Sequence, residues 1–271
     1  MKVTVDTLKR FESRLREEVP TFKVAFKDQA WSQRLMGFFV TPFNPTFSTD
    51  FITTVRDTVY FPTQEYYERD PQASLVTLAH EFVHVWDYKQ TPWFRLSYIF
   101  PQILVVVPIL VYGLLAGRNA WLLAIPIIGY ALACFVAKKT KIGFCMVLGL
   151  LFALLLGLGW EYTGWHLLTL LGLVVVAPWP APWRTKWELR GYGMSISMYQ
   201  WLGAGSSDLG KLRGIYTSYF VGPAYYFMSW TAESVDKNLE ATRQQAEAGA
   251  LQTIAPYSIA YEFLRSSGLN T

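Results

Sequence analysis

Hydrophobic and polar positions change rhythm several times along this chain. Residues 2 to 19 mix charged and apolar positions with a helical period, which predicts an amphipathic helix near Thr7 to Glu18. That stretch has no apolar central run, so it is not expected to act as a cleavable signal peptide. The sequence then becomes irregular and aromatic-rich, punctuated by Pro42 and Pro45. From Phe51 to Phe61, β-branched and aromatic residues cluster, predicting a strand or hairpin that Pro62 ends. Asp70-Pro71 reads as a helix start leading into Ala73 to Lys89.

Between Tyr98 and Trp179 polar positions nearly vanish. Four apolar runs follow one another, Tyr98 to Gly117, Ala120 to Ala137, Ile142 to Gly159 and Gly164 to Ala177, each approaching the roughly 17 to 25 residues that cross a bilayer as helix, the fourth only marginally. From Tyr98 to Trp160 the only charges are Arg118, Lys138, Lys139 and Lys141, all at breaks between runs. Two transmembrane hairpins are the expected result. Pro101, Pro108 and Pro126 are compatible with them where neighbouring groups satisfy the freed carbonyls. Beyond the runs, Trp183 to Leu202 and Leu212 to Trp230 are expected as helices at the membrane interface. Ser229 to Ala248 reads as a polar helix that Gly249 stops.

Composition strengthens the membrane expectation. Of 271 residues, 52% are hydrophobic and 16% charged, against about 25% charged in ordinary soluble domains, and the mean hydropathy is +0.21. The expected fold is mainly α: a multi-pass helical membrane protein with a zincin-like metalloprotease domain and a small β element before the active-site helix. It divides into an N-terminal zincin part (1–95), a four-helix transmembrane insertion (96–180) and a C-terminal helical part (181–271). Lys89, Arg95, Lys138, Lys139, Lys141, Arg184, Lys186 and Arg190 fall on one side of a four-crossing topology, the cytoplasmic side by the positive-inside rule. A bacterial inner membrane with the active site facing the cytoplasm is the expected location. The net charge of +4 is scattered rather than gathered in a stripe, which speaks against nucleic acid as a partner. Cys134 and Cys145 lie in apolar stretches and suggest neither a disulfide framework nor a metal site.

The sharpest motif is His80-Glu81-Phe82-Val83-His84. On a helix, residues four apart share a face, so both imidazoles can reach one zinc ion while Glu81 is placed to act on the attacking water. Zinc lowers the pKa of water, and a carboxylate can take its proton and hand it to the leaving amine. A catalytic zinc needs a third protein ligand. His166, the third histidine, and Glu161 fall on the far side of the four-crossing topology. Asp87 sits on the same helix as His84 and suits a contact to an imidazole better than a place on the metal. Glu188, in Arg184-Thr-Lys-Trp-Glu-Leu-Arg-Gly-Tyr192, returns to the side of His80 after an even number of crossings and is the expected third ligand. Its alternative is a surface charge paired with Arg184 or Arg190, and Glu233 is the reserve.

An HExxH helix, then apolar spans, then a glutamate on a later helix resembles the integral-membrane gluzincins, among them the CAAX prenyl endopeptidases and the HtpX-type bacterial stress proteases. The likeness covers Ser74 to Tyr192. Those families carry the glutamate in an ExxxD pattern, whereas here Glu188 is followed by Tyr192. The resemblance implies His80, His84 and Glu188 as zinc ligands and Glu81 as general base. It also implies a zinc endopeptidase acting on a membrane-associated protein or peptide, with the lipid bilayer as a further partner.

Phe51 to Phe61 could provide the edge strand on which an extended peptide pairs. Tyr216, Tyr219, Tyr225 and Tyr226 are candidate oxyanion donors. Two rival readings stand beside the protease: a di-iron oxidase, which three histidines cannot furnish in its His-rich form, and a non-catalytic membrane scaffold with a structural or degenerate metal site. The sequence leaves the substrate and the oligomeric state open.

Overall fold

The computed structural model describes residues 2–40, 46–99, 181–222, 228–229 and 231–270. The chain divides into two compact units. One comprises Met1–Phe94, Lys186–Tyr216 and Glu233–Thr271; the other comprises Arg95–Thr185 and Thr217–Ala232.

The first unit opens with α1 (Val5–Glu18), whose first turn is closed by a reciprocal capping box between Thr4 and Thr7. Its Leu8, Phe11 and Leu15 recur at helical spacing and are fully buried. Three short strands follow: β1 (Lys23–Phe26), β2 (Thr53–Val55) and β3 (Thr58–Phe61). They form a sheet in the order β1-β3-β2, with β1 parallel and β2 antiparallel to β3. Val59 stands in register with both Val24 and Thr54. The Phe51 to Phe61 expectation is met by the β2–β3 hairpin, whose turn residue Arg56 takes a positive φ of 56°. The stretch expected to be irregular holds β1 and α2 (Trp31–Val40).

After α3 (Gln64–Arg69) comes α4 (Pro71–Gln90). The Asp70 side chain accepts from Ala73 N–H at 3.0 Å, and Pro71 occupies the first turn, where its missing N–H costs nothing. This helix is buried on most sides, with Leu75, Leu78, Phe82, Val83 and Val85 in the core. Phe22 meets Phe82 edge-on with centroids 5.5 Å apart. Met194, Met198 and Trp201 of α6 (Pro182–Trp201) join the same core. So do Ile259, Phe263 and Leu264 of α9 (Tyr257–Ser266). Before α6 the described elements include α5 (Phe94–Ile99); after it come α7 (Ser206–Val221), α8 (Ala232–Glu247) and a short 3-10 turn, Ala250–Thr253. Gly249 ends the α8 region at φ 76°, a conformation glycine adopts without strain. In the second unit, Met228 O accepts from Ala181 N–H at 2.9 Å and from the Thr185 hydroxyl at 2.8 Å.

The expected multi-pass membrane architecture is corrected here. Among the described residues no helix is long and apolar enough to cross a membrane. Both 20-residue helices carry charges: Glu81, Asp87 and Lys89 in the second half of α4, and Arg184, Lys186, Glu188 and Arg190 in the first half of α6. The integral-membrane location and its cytoplasmic orientation lose their support with that finding. The apolar runs from residue 100 to 180, and with them almost all of the 96–180 insertion, Cys134 and Cys145, lie outside the described residues. The interface expectation for α6 also fails over residues 191 to 198, which are buried without interruption. Its low charge beyond Arg190 reflects burial among the protein's own side chains.

Candidate metal centre

Helix α4 puts His80 and His84 on one face, each 6% exposed, with ring centroids 5.1 Å apart. Helix α6 brings Glu188 to them, itself 2% exposed. One carboxylate oxygen, Oε2, lies 3.8 Å from Nε2 of His80 and 3.8 Å from Nε2 of His84. The three donor atoms fall within 4.8 Å of one another, and the group could hold a metal ion. Tetrahedral bonds of about 2.1 Å place neighbouring donors about 3.4 Å apart, so each Glu188–imidazole approach would shorten by roughly 0.4 Å, and the widest donor pair by at most roughly 1.4 Å, to close on an ion. A buried carboxylate facing two buried imidazoles also suits a divalent cation as its charge partner.

The protonation chemistry agrees. Burial pushes the His80 imidazole pKa down, but the hydrogen bond to Glu188 and the charges of Glu81 and Glu188 outweigh it, leaving the value above that of an ordinary histidine. The same surroundings that favour a proton on His80 would favour a cation, and metal binding there competes with that proton.

Residues around the ligands set their orientation. Ser195 Oγ lies 3.2 Å from His80 Nδ1 and 3.4 Å from Gly191 O. With its one hydrogen donated to the Gly191 carbonyl, the hydroxyl accepts from Nδ1–H, which leaves Nε2 as the ligand atom of the metal-bound imidazole. Gly191 gives the His80 ring its space, since a Cβ there would lie 2.7 Å from Nε2. Glu188, Gly191 and Ser195 are spaced i, i+3, i+7, one stripe of α6 facing α4. That spacing was present in the sequence and marks both residues missed there. Tyr192, standing where the resembled families carry aspartate, offers His80 a ring edge instead, with centroids 4.6 Å apart and planes at 82°.

Glu81 lies beside the cluster, and its Oε2 accepts from the Thr54 hydroxyl of β2 at 2.6 Å. Lys27 is a further charge near Glu81, buried at 4% exposure. Its ammonium donates to Phe47 O at 2.7 Å and sits 3.7 Å over the Phe47 ring. Burial pulls its pKa down to about 8, the Glu81 charge opposing. No pattern in the sequence distinguishes this lysine.

The other candidates are placed as follows. Asp87 is 2% exposed and pairs with Arg190, Oδ1 to Nη1 at 3.0 Å, so Arg190 is committed to a carboxylate other than Glu188. Burial raises the Asp87 pKa to about 6 against the pull of Arg190 and Lys186. Glu233 is exposed in the first turn of α8 and is not part of the cluster. Tyr216 packs against Tyr192 with centroids 4.6 Å apart and planes tilted by 43°, and Tyr219 is half-buried. Glu161, His166, Tyr225 and Tyr226 lie outside the described residues. No protein-family model, curated protein or solved structure matches this chain.

Proposed function

We propose that this chain is a zinc-dependent peptidase of the gluzincin type, with His80, His84 and Glu188 as ligands and Glu81 as general base. The observation that carries the reading is the convergence of Glu188 on both histidines from a separate helix, burying an HExxH pair and a carboxylate in one cluster. Zinc is the metal that this two-imidazole, one-carboxylate set suits, and when bound it supplies Lewis acidity that lowers the pKa of water toward neutrality.

The chain's own residues supply the rest. The Thr54 hydroxyl holds Glu81 Oε2, leaving Oε1 to accept a proton from the attacking water and return it to the departing amine nitrogen. Among the described residues β2 pairs with β3 alone, so its other edge can take an extended peptide by main-chain hydrogen bonds. Thr54 then connects the substrate strand to the general base.

The test uses zinc-loaded full-length protein and a diverse peptide mixture, with cleavage read by mass spectrometry. Wild type should generate new termini, whereas Glu81→Gln should retain zinc and cut at a rate lower by a factor of at least about 100. Zinc retention with equal, absent cleavage in both proteins would favour a structural metal and overturn the peptidase reading.

A further inference from the structure

Asp87 and Arg190 take no part in that chemistry, yet they form a bridge, buried at its Asp87 end, between the two helices that carry the ligands. Asp87 lies three residues after His84 on α4, and Arg190 lies two after Glu188 on α6. Asp87 Oδ1 and Arg190 Nη1 are 3.0 Å apart, with the Asp87 side chain 2% exposed and that of Arg190 37% exposed. The same turn of α6 is held from another direction, because the Tyr257 hydroxyl of α9 donates to Arg190 O at 2.9 Å. We propose that the Asp87–Arg190 pair positions the metal centre by fixing the register of α6 against α4, so that Glu188 meets both histidines.

The energetics point the same way. Burying a carboxylate costs several kcal/mol, which a single partner offsets only in part, so such pairs contribute little net stability and are better at specifying one arrangement. Register is what this site needs. A helix rises about 1.5 Å per residue, so a slide of one residue would carry Glu188 out of the 3.8 Å approach it makes to each imidazole. The proposal rests on the metal reading of the cluster.

Electrostatics and positioning predict opposite signs for one substitution. Removing the Arg190 cation makes the neighbourhood more negative and should tighten binding of a dication, whereas losing the bridge should loosen it. The experiment titrates metal-free full-length protein with Zn2+ against a chromophoric chelator, and records the visible spectrum of the Co2+ form. Arg190→Met and the near-isosteric Asp87→Asn should each weaken zinc roughly 10- to 100-fold. Their combination should be no weaker than the worse single variant, and Arg190→Lys should recover most of the affinity. The Co2+ spectrum of Arg190→Met should shift toward that of Glu188→Gln. If Arg190→Met does not fold, Arg190→Gln, which removes the same cation, carries the comparison of signs. Zinc binding within twofold of wild type, or tighter, in whichever of these variants folds would overturn the positioning role while leaving the metal site intact. Failure of wild type itself to bind zinc would overturn the metal reading and this role with it.

Discussion

Two clusters in the first unit hold acidic groups against cationic partners, and they are built for different ends. On α7 and α8, Arg213 bonds Asp236 at 2.6 Å and also reaches Glu240, which Arg243 holds at 2.8 Å. These side chains remain 21–44% exposed, and every carboxylate is met by a guanidinium, a permanent cation. Between α4 and α6 the carboxylate is buried and faces two imidazoles, which can give up their protons. The first cluster is solvated; the second is buried and could hold a metal. Burial and the identity of the partner, rather than the presence of acidic residues, separate the two.

The largest effect should follow from filling the space beside His80. In Gly191→Ala the new methyl would meet the His80 ring at 2.7 Å, so the ring must move away from Glu188. Zinc affinity is expected to fall about 100-fold, with roughly 1–3 kcal/mol of overpacking cost in chemical denaturation. Unchanged affinity would show that the ring has another place to go and that the stripe on α6 does not set the site.

A smaller but continuous effect should come from pH. The His80 pKa is raised, so below it a proton competes with the metal, and apparent zinc affinity should decline as pH falls through that value, beginning above the range of an ordinary histidine. The metal-free protein should respond with the opposite sign. A raised folded pKa contributes stability that is full below the unfolded value and is lost as pH rises through the folded one. Thermal denaturation of both forms across pH 5 to 8 checks this. Parallel rather than opposed trends would contradict the assignment of that proton to His80. The smallest effect belongs to the other cluster: Arg213→Met should cost less than about 1 kcal/mol and leave zinc affinity unchanged.

Much of this arrangement was legible in the sequence where local chemistry dictates it. The Asp70-Pro71 start of α4, the β2–β3 hairpin before Pro62 and the Gly249 stop each depend on a few adjacent residues. The HExxH spacing gave half of the candidate site. Glu188 was reached through a membrane topology that the described residues do not support, so its placement beside His80 and His84 stands on the packing of α6 alone. The membrane expectation erred for α6 because a helix enclosed by its own fold and one enclosed by lipid both read as weakly polar. Ser195 and Gly191 were missed because their roles depend on which face of α6 meets α4. Lys27 was missed because only tertiary packing buries it, and β1 because a four-residue strand pairing in parallel across more than thirty residues leaves almost no local signal.

The most direct test of the central claim is zinc X-ray absorption on the full-length protein, with Glu188→Gln measured beside it. Wild type should hold one zinc per chain in a shell of two imidazole nitrogens and oxygen, at about 2.0–2.2 Å and without sulfur. In Glu188→Gln the two imidazoles should remain while zinc occupancy falls sharply. A wild-type protein that takes up no zinc, or a shell unchanged in Glu188→Gln, would contradict the assignment of His80, His84 and Glu188 as one metal centre.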